Sequence, residues 1–146
     1  MEKQNIPLGM IVGRMMHMMF HVLKKRTSEQ ADVKLTIEQF GLLHAISMKE
    51  DDVIQKDMAE IMGKDKSAIL RLIDTLEKNE LVRRVVDVND RRKNYLMVTK
   101  RGERVIKQYL EIELTLTYEL QLGLTDAELS TFYKVVNHIK CNAEKL

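Results

Sequence analysis

Cysteine is nearly absent from this chain: Cys141 is the only one among 146 residues. That excludes an intrachain disulfide and a zinc site built from cysteines alone, and a reducing cytoplasm is the simplest setting. No run of 18 or more apolar residues occurs, so no membrane-spanning helix is expected. Met1-Glu2-Lys3-Gln4-Asn5 lacks the basic, apolar and small-residue succession of a secretory signal. Enzyme signatures are missing too: there is no phosphate loop, no Gly-x-Ser-x-Gly and no His-Glu-x-x-His. No catalytic residue, metal-ligand set or cofactor is therefore assigned. The single proline, Pro7, suits the first turn of a helix, with Asn5 placed to cap it. The length suits one domain with a proper core.

Net charge is only +2, but it is unevenly spread. Between Lys64 and Arg104, 12 Lys and Arg stand against 7 Asp and Glu, a balance of +5 that leaves −3 for the rest. A concentrated positive field is what a nucleic-acid contact requires. The same stretch is ordered. Asp57-Met58-Ala59-Glu60-Ile61-Met62-Gly63 reads as a short helix and a turn. Asp65 can cap a second helix by accepting a first-turn backbone N–H. Ile69, Leu72, Ile73 and Leu76 follow the three-to-four spacing of a buried stripe, and Lys66, Ser67, Leu70, Arg71 and Thr75 fall on the other face. Lys66 and Arg71 can donate to phosphates or to guanine O6 and N7. Ser67 and Ala68 sit in the first turn, the part of a recognition helix that approaches base edges. An ordinary amphipathic helix with a solvated face is the competing reading.

Two strands are expected next. Leu81-Val82-Arg83-Arg84-Val85-Val86 and Tyr95-Leu96-Met97-Val98-Thr99 have the β-branched and apolar content of paired strands. Asp87, Asn89, Asp90 and Asn94 are turn formers, and Arg91, Arg92 and Lys93 place three cations at the hairpin tip. Arginine suits a narrow minor groove, where the negative potential is strongest. Asp90 is placed to brace Arg92. Helix, turn, helix and basic hairpin together make a winged helix-turn-helix, with one element for the major groove and another for the minor groove.

At this point the residues resemble a family. Leu76-Glu77-Lys78-Asn79-Glu80-Leu81-Val82-Arg83-Arg84, then Asp90-Arg91-Arg92, then Val98-Thr99-Lys100-Arg101-Gly102 are similar to the MarR type of bacterial transcription regulator, over nearly the whole chain. The resemblance implies a mainly α fold with a small β-wing. It implies a single domain over residues 1–146, with a winged helix-turn-helix lobe at 36–104 and dimerisation helices at 1–35 and 105–146. It also implies a homodimer that binds a palindromic operator in double-stranded DNA, most often as a repressor released by a small aromatic or anionic effector. Two recognition helices would then lie about 34 Å apart. Two positions depart from the family pattern. Glu80 stands where glycine is usual, and Asn79 is placed to supply the left-handed cap instead. Leu70 replaces a small polar residue, and either meets a thymine methyl or packs on the protein.

The ends of the chain read as an assembly surface. Between Met10 and Leu23, ten of fourteen residues are apolar, with Arg14, His17 and His21 as the one polar strip. A helix so apolar is expected to be buried. Thr36 to Gln39 and Thr125 to Glu128 are capping boxes, each with a flanking apolar pair, Leu35 with Phe40 and Leu124 with Leu129. Leu129, Phe132, Tyr133, Val136 and Ile139 are expected to be buried along the last helix. Leu110, Ile112, Leu114, Leu116, Tyr118, Leu120 and Leu122 alternate with period two, a strand signal. The resemblance places a long helix there instead.

Arg14, His17 and His21 are the candidate effector-binding residues, polar groups beside methionines in a mostly apolar pocket. Arg14 can pair with a carboxylate. His17 and His21, four apart, have a spacing that can also chelate a metal, so a metal-responsive regulator is one alternative. A winged-helix module that binds protein is another. A steep salt dependence of binding separates a DNA binder from it.

Overall fold

The computed structural model describes residues 6–50, 53–91 and 93–146. Six helices and three short strands follow one another along these residues. They are α1 (Leu8–Gln30), α2 (Ile37–Met48), β1 (Val53–Ile54), α3 (Gln55–Met62), α4 (Lys66–Lys78), β2 (Val82–Val86), β3 (Asn94–Val98), α5 (Lys100–Leu120) and α6 (Asp126–Ala143). The chain forms two compact units, one ending at Glu113 and the other running from Leu114 to Leu146.

Local chemistry sets the helix ends. Both expected capping boxes form: Thr36 accepts from the Gln39 amide at 3.2 Å, and Thr125 from the Glu128 amide at 3.3 Å. Each partner side chain reaches back to the cap's own N–H. Asp65 caps α4 through the Ala68 amide at 2.8 Å. α1 begins one residue later than expected, with Pro7 at the cap position rather than in the first turn. Asn5, its suggested cap, lies outside the described residues.

The exit of α4 differs from the expectation. Asn79 has φ −84°, whereas Glu80 takes the left-handed conformation at φ 59°. The Leu81 N–H donates to the Leu76 carbonyl at 2.9 Å and the Glu80 N–H to that of Glu77 at 2.9 Å. This is a Schellman ending, whose first residue beyond the cap must be left-handed. The position is set by hydrogen-bond topology, so glutamate adopts a conformation that glycine would enter more easily. Asn79 instead donates its side-chain amide to the Thr75 carbonyl at 2.9 Å.

The core of the first unit joins five elements. Leu42, Leu43 and Ile46 of α2, Met58 of α3, and Ile69, Ile73 and Leu76 of α4 are almost wholly buried. Leu81, Val82 and Leu96 close it from the sheet, and Val105, Ile106 and Tyr109 from α5. The sheet has three antiparallel strands in the order β1-β3-β2, one more than the two-stranded ribbon expected. β1 is a two-residue strand, Val53 opposite Leu96 and Ile54 opposite Tyr95, too short for any periodicity. At the base of the wing, the chain passes very close to α5. A Cβ on Gly102 would lie 2.3 Å from the Leu81 carbonyl oxygen and 2.7 Å from Val98 Cγ1.

The period-two segment is helical through Leu120. Of its residues Ile112 and Leu116, four apart, are buried and continue the helical spacing of Val105 and Tyr109 before it, while Leu114, Tyr118 and Leu120 are exposed on other faces. The terminal helices carry much apolar surface outward. Met10, Ile11, Met15, Met18 and Phe20 of α1 are exposed. On α6, Phe132, Tyr133, Val136 and Ile139 are also exposed, against the burial expected of them, and Leu129 is half-buried. A single copy of the chain does not cover these residues.

Candidate nucleic-acid interface and apolar cavity

α4 divides as its sequence pattern predicts. Ile69, Ile73 and Leu76 are buried, whereas Lys66, Ser67, Leu70 and Arg71 are exposed. Ala68 and Thr75 are half-buried, and the Thr75 hydroxyl donates to the Arg71 carbonyl at 2.9 Å. Leu70 does not pack into the core; it is 39% exposed on the outer face. Lys66, Ile69 and Leu70 border a small groove of about 220 Å³ with Ile54, Gln55, Lys56 and Asn94. The starts of α3, β3 and α4 therefore border one groove, with Lys56 and Lys66 both in its lining. The Ala68 amide holds the Asp65 carboxyl below its ordinary range.

The hairpin tip is organised by Asp87, which sequence reading named only as a turn former. One carboxylate oxygen accepts the Asn89 and Asp90 amides at 2.6 and 2.9 Å, and the other accepts the Tyr95 hydroxyl at 2.6 Å. The Tyr95 hydroxyl, then the Asp90 and Asn89 amides, hold this carboxyl below its usual range. The Asp87 N–H donates to the Lys93 carbonyl, and the Lys93 N–H to that of Asp90. An aspartate two and three residues before its amide donors is a readable turn signal. Arg91 and Lys93 are exposed and Asp90 is half-buried. Arg92, with the brace that Asp90 was expected to provide, lies outside the described residues.

Arg84 has a different role from its neighbours in the cationic run. Its guanidinium reaches both Asp74 and Glu77 of α4. Burial opposes its charge, but Asp74 and Glu77 outweigh that and raise its pKa further. Lys64 pairs with Glu38 at 2.7 Å and Arg101 with Glu80 at 2.9 Å. Part of the local positive charge is thus balanced within the fold, and among the described residues Lys66, Arg71 and Lys78 of α4 and Arg91 and Lys93 of the wing tip are exposed cations.

A larger cavity of about 660 Å³ lies in the first unit. Phe20, Leu23, Leu35, Phe40 and Tyr109 make it mostly apolar, with Lys24, Lys34, Glu38 and Glu113 as charged members of its lining. Tyr109 stacks on Phe40 with centroids 4.7 Å apart. Its hydroxyl accepts the Leu35 amide at 2.7 Å and donates to the Val33 carbonyl at 3.0 Å. Arg14, His17 and His21 are exposed on α1 and do not line this cavity. Arg14 lies ten residues before Lys24, about 15 Å along a helix axis. No sequence signal marked Lys24 or Lys34, because the α1–α2 linker brings Lys34 back beside α1. Among the described residues, no three His, Cys, Asp or Glu side chains converge as a metal site would require.

Helix-turn-helix, hairpin and exposed cationic face define a winged helix-turn-helix protein. A model of the MarR family matches residues 32–93. Among solved structures, one of MarR is 25% identical, with 99% of this chain and 96% of that chain covered and a TM-score of 0.79. A MarR-family transcriptional regulator from Rhodococcus sp. RHA1 is 22% identical, with 95% and 96% covered and a TM-score of 0.75. The MepR–DNA complex of S. aureus is 18% identical, with 94% and 99% covered and a TM-score of 0.79. Residues 32–93 thus match the MarR family, and the chain shares the fold of the solved MarR structures. Among the described residues, no helix is long and apolar enough to cross a membrane.

Proposed function

We propose that the protein is a homodimeric, sequence-specific regulator of transcription that binds a palindromic site in double-stranded DNA and acts in the cytoplasm as a ligand-responsive repressor. The observation that carries this reading is the outer face of α4, where Lys66, Ser67, Leu70 and Arg71 are exposed together at the start of a helix whose other face is buried. A helix so presented can place Lys66 and Arg71 on phosphates or guanines, Leu70 against a thymine methyl, and its first turn near base edges. Arg91, Arg92 and Lys93 on the wing supply the second, minor-groove contact. The structure of a DNA-bound family member, MepR, supports the same reading. No catalytic chemistry is proposed.

A second copy of the chain covers the apolar outer faces of α1 and α6, and the two-fold axis pairs two recognition helices. The effector is a small, mostly apolar anion that enters the cavity beside Phe20 and Tyr109. Lys24 and Lys34 orient its carboxylate there, in preference to Arg14, His17 and His21 further up α1. Such a ligand shifts the DNA-binding equilibrium only by binding one arrangement of the dimer better than the other. Selection of bound sequences from a random duplex pool tests the function. A preferred palindrome, with affinity that falls steeply as salt rises, is the expected result. Loss of about 1–3 kcal/mol on Arg71→Ala is expected with it. Absence of any salt-dependent duplex binding would refute the reading.

A further inference from the structure

We propose that Arg84 is a positioning residue, which fixes the angle of the wing against the recognition helix and takes no phosphate itself. The inference rests on the DNA-binding reading above. Arg83 and Arg84 stand together in a basic strand, and by charge alone both are candidate DNA ligands. Strand alternation separates them. Arg83 is exposed, whereas Arg84 shares the face of buried Val82, toward α4. The side chain of Arg84 is only 23% exposed. Its two terminal nitrogens are taken by carboxylates one helical turn apart, Nη2 by Asp74 and Nη1 by Glu77. Glu77 also accepts the Arg84 backbone N–H at 3.3 Å. The strand is thus tied to α4 by main chain and side chain at one point. A planar guanidinium held at two nitrogens resists rotation, which a single ammonium contact would not.

The consequence is a lever. From Arg84 to Val88 at the tip, four residues of extended chain span about 13 Å. A pivot of about 10° at Arg84 would move the tip by roughly 2 Å over that length. Hydrogen bonds from arginine or lysine to phosphate occupy a window of only about half an ångström. Loss of the clamp would therefore disengage Arg91 and Lys93 without touching either.

The sign of one effect makes this testable. Asp74 is 62% exposed on α4, and a carboxylate close to DNA repels phosphate. Removing it should tighten binding on electrostatic grounds. The clamp predicts the reverse. Duplex affinity is measured for the double variant Asp74→Ala/Glu77→Ala and for Arg84→Met, with folding followed by circular dichroism. Each is expected to bind about tenfold more weakly. That loss is expected to shrink in a Lys93→Ala background, because Arg84 acts through the tip. Amide exchange over residues 85–95, measured without DNA, is expected to quicken in both variants. Tighter or unchanged binding by the folded double variant would overturn the proposal, as would full additivity with Lys93→Ala. Should the double variant not fold, Glu77→Gln carries the same test. If the parent protein binds no duplex at all, the DNA reading fails, and unchanged exchange in the wing would still decide against the clamp.

Discussion

Replacing Tyr109 by phenylalanine removes one oxygen and isolates a single structural device. The Tyr109 ring is 5% exposed and stacks on Phe40, so the phenylalanine ring keeps its packing. The lost hydroxyl was the partner of the Leu35 amide at 2.7 Å and of the Val33 carbonyl at 3.0 Å. Both backbone groups belong to the linker between α1 and α2, and this hydroxyl ties that linker to α5. The substitution leaves a buried donor without a partner, which costs about 1–3 kcal/mol. Against a total stability of roughly 5–15 kcal/mol that is a large fraction. For a chain of this size the melting temperature should fall by roughly 3 to 9 °C. The assay is thermal unfolding of both proteins at one fixed concentration, since assembly shifts apparent stability. A pH series adds a signature. Burial raises the Tyr109 hydroxyl above its ordinary pKa of 10.0. The folded state therefore retains the proton where the unfolded chain has lost it. This contribution is fully present below pH 10 and declines as pH rises through the folded value. The phenylalanine variant should lack that part of the alkaline decline. A melting shift below one degree would refute the argument that this hydroxyl holds the linker.

Four further outcomes are expected. Gly102→Ala would place a Cβ 2.3 Å from the Leu81 carbonyl oxygen, a backbone atom that cannot swing aside, so denaturant unfolding should register a loss of about 1–3 kcal/mol or more. Glu80→Gly should change stability by less than about 1 kcal/mol, because relief of the left-handed conformation is offset by glycine entropy and loss of the exposed Arg101 pair. Glu80→Val should instead destabilise, because a β-branched side chain is excluded from the left-handed region more strongly than glutamate, and equal melting temperatures for the two would contradict the Schellman assignment. The Asp65 and Asp87 carboxyls, both lowered from 3.8, should add stability above that pH and lose it as pH falls through their folded values. Acid unfolding that is unchanged in Asp87→Asn would show that the wing tip does not depend on this carboxylate.

Local sequence was enough for the features whose physics is local. Two capping boxes, the Asp65 cap and the buried stripe of α4 depend on residues within a few positions of each other, and each is legible in the order of side chains. The exposed cations Lys66, Arg71, Arg91 and Lys93 were legible for the same reason: helix and strand periods dictate which face a residue takes. Strand parity alone would also have turned Arg84 toward the buried face.

Tertiary structure decided what distant segments do to each other. The period-two run is helical through Leu120, with Ile112 and Leu116 buried and Leu114, Tyr118 and Leu120 exposed, a division that the alternation around them does not announce. The left-handed residue after α4 is Glu80 rather than Asn79 because the Leu81 and Glu80 amides return to Leu76 and Glu77. The cavity gathers Lys24, Lys34 and Tyr109 from segments as many as 85 positions apart, so its cations differ from the Arg14, His17 and His21 strip that composition suggested. Sequence by itself determined which side chains could act. Only the packing of α1, α2 and α5 decided which of them share one site, since proximity between remote residues is a property of the whole fold.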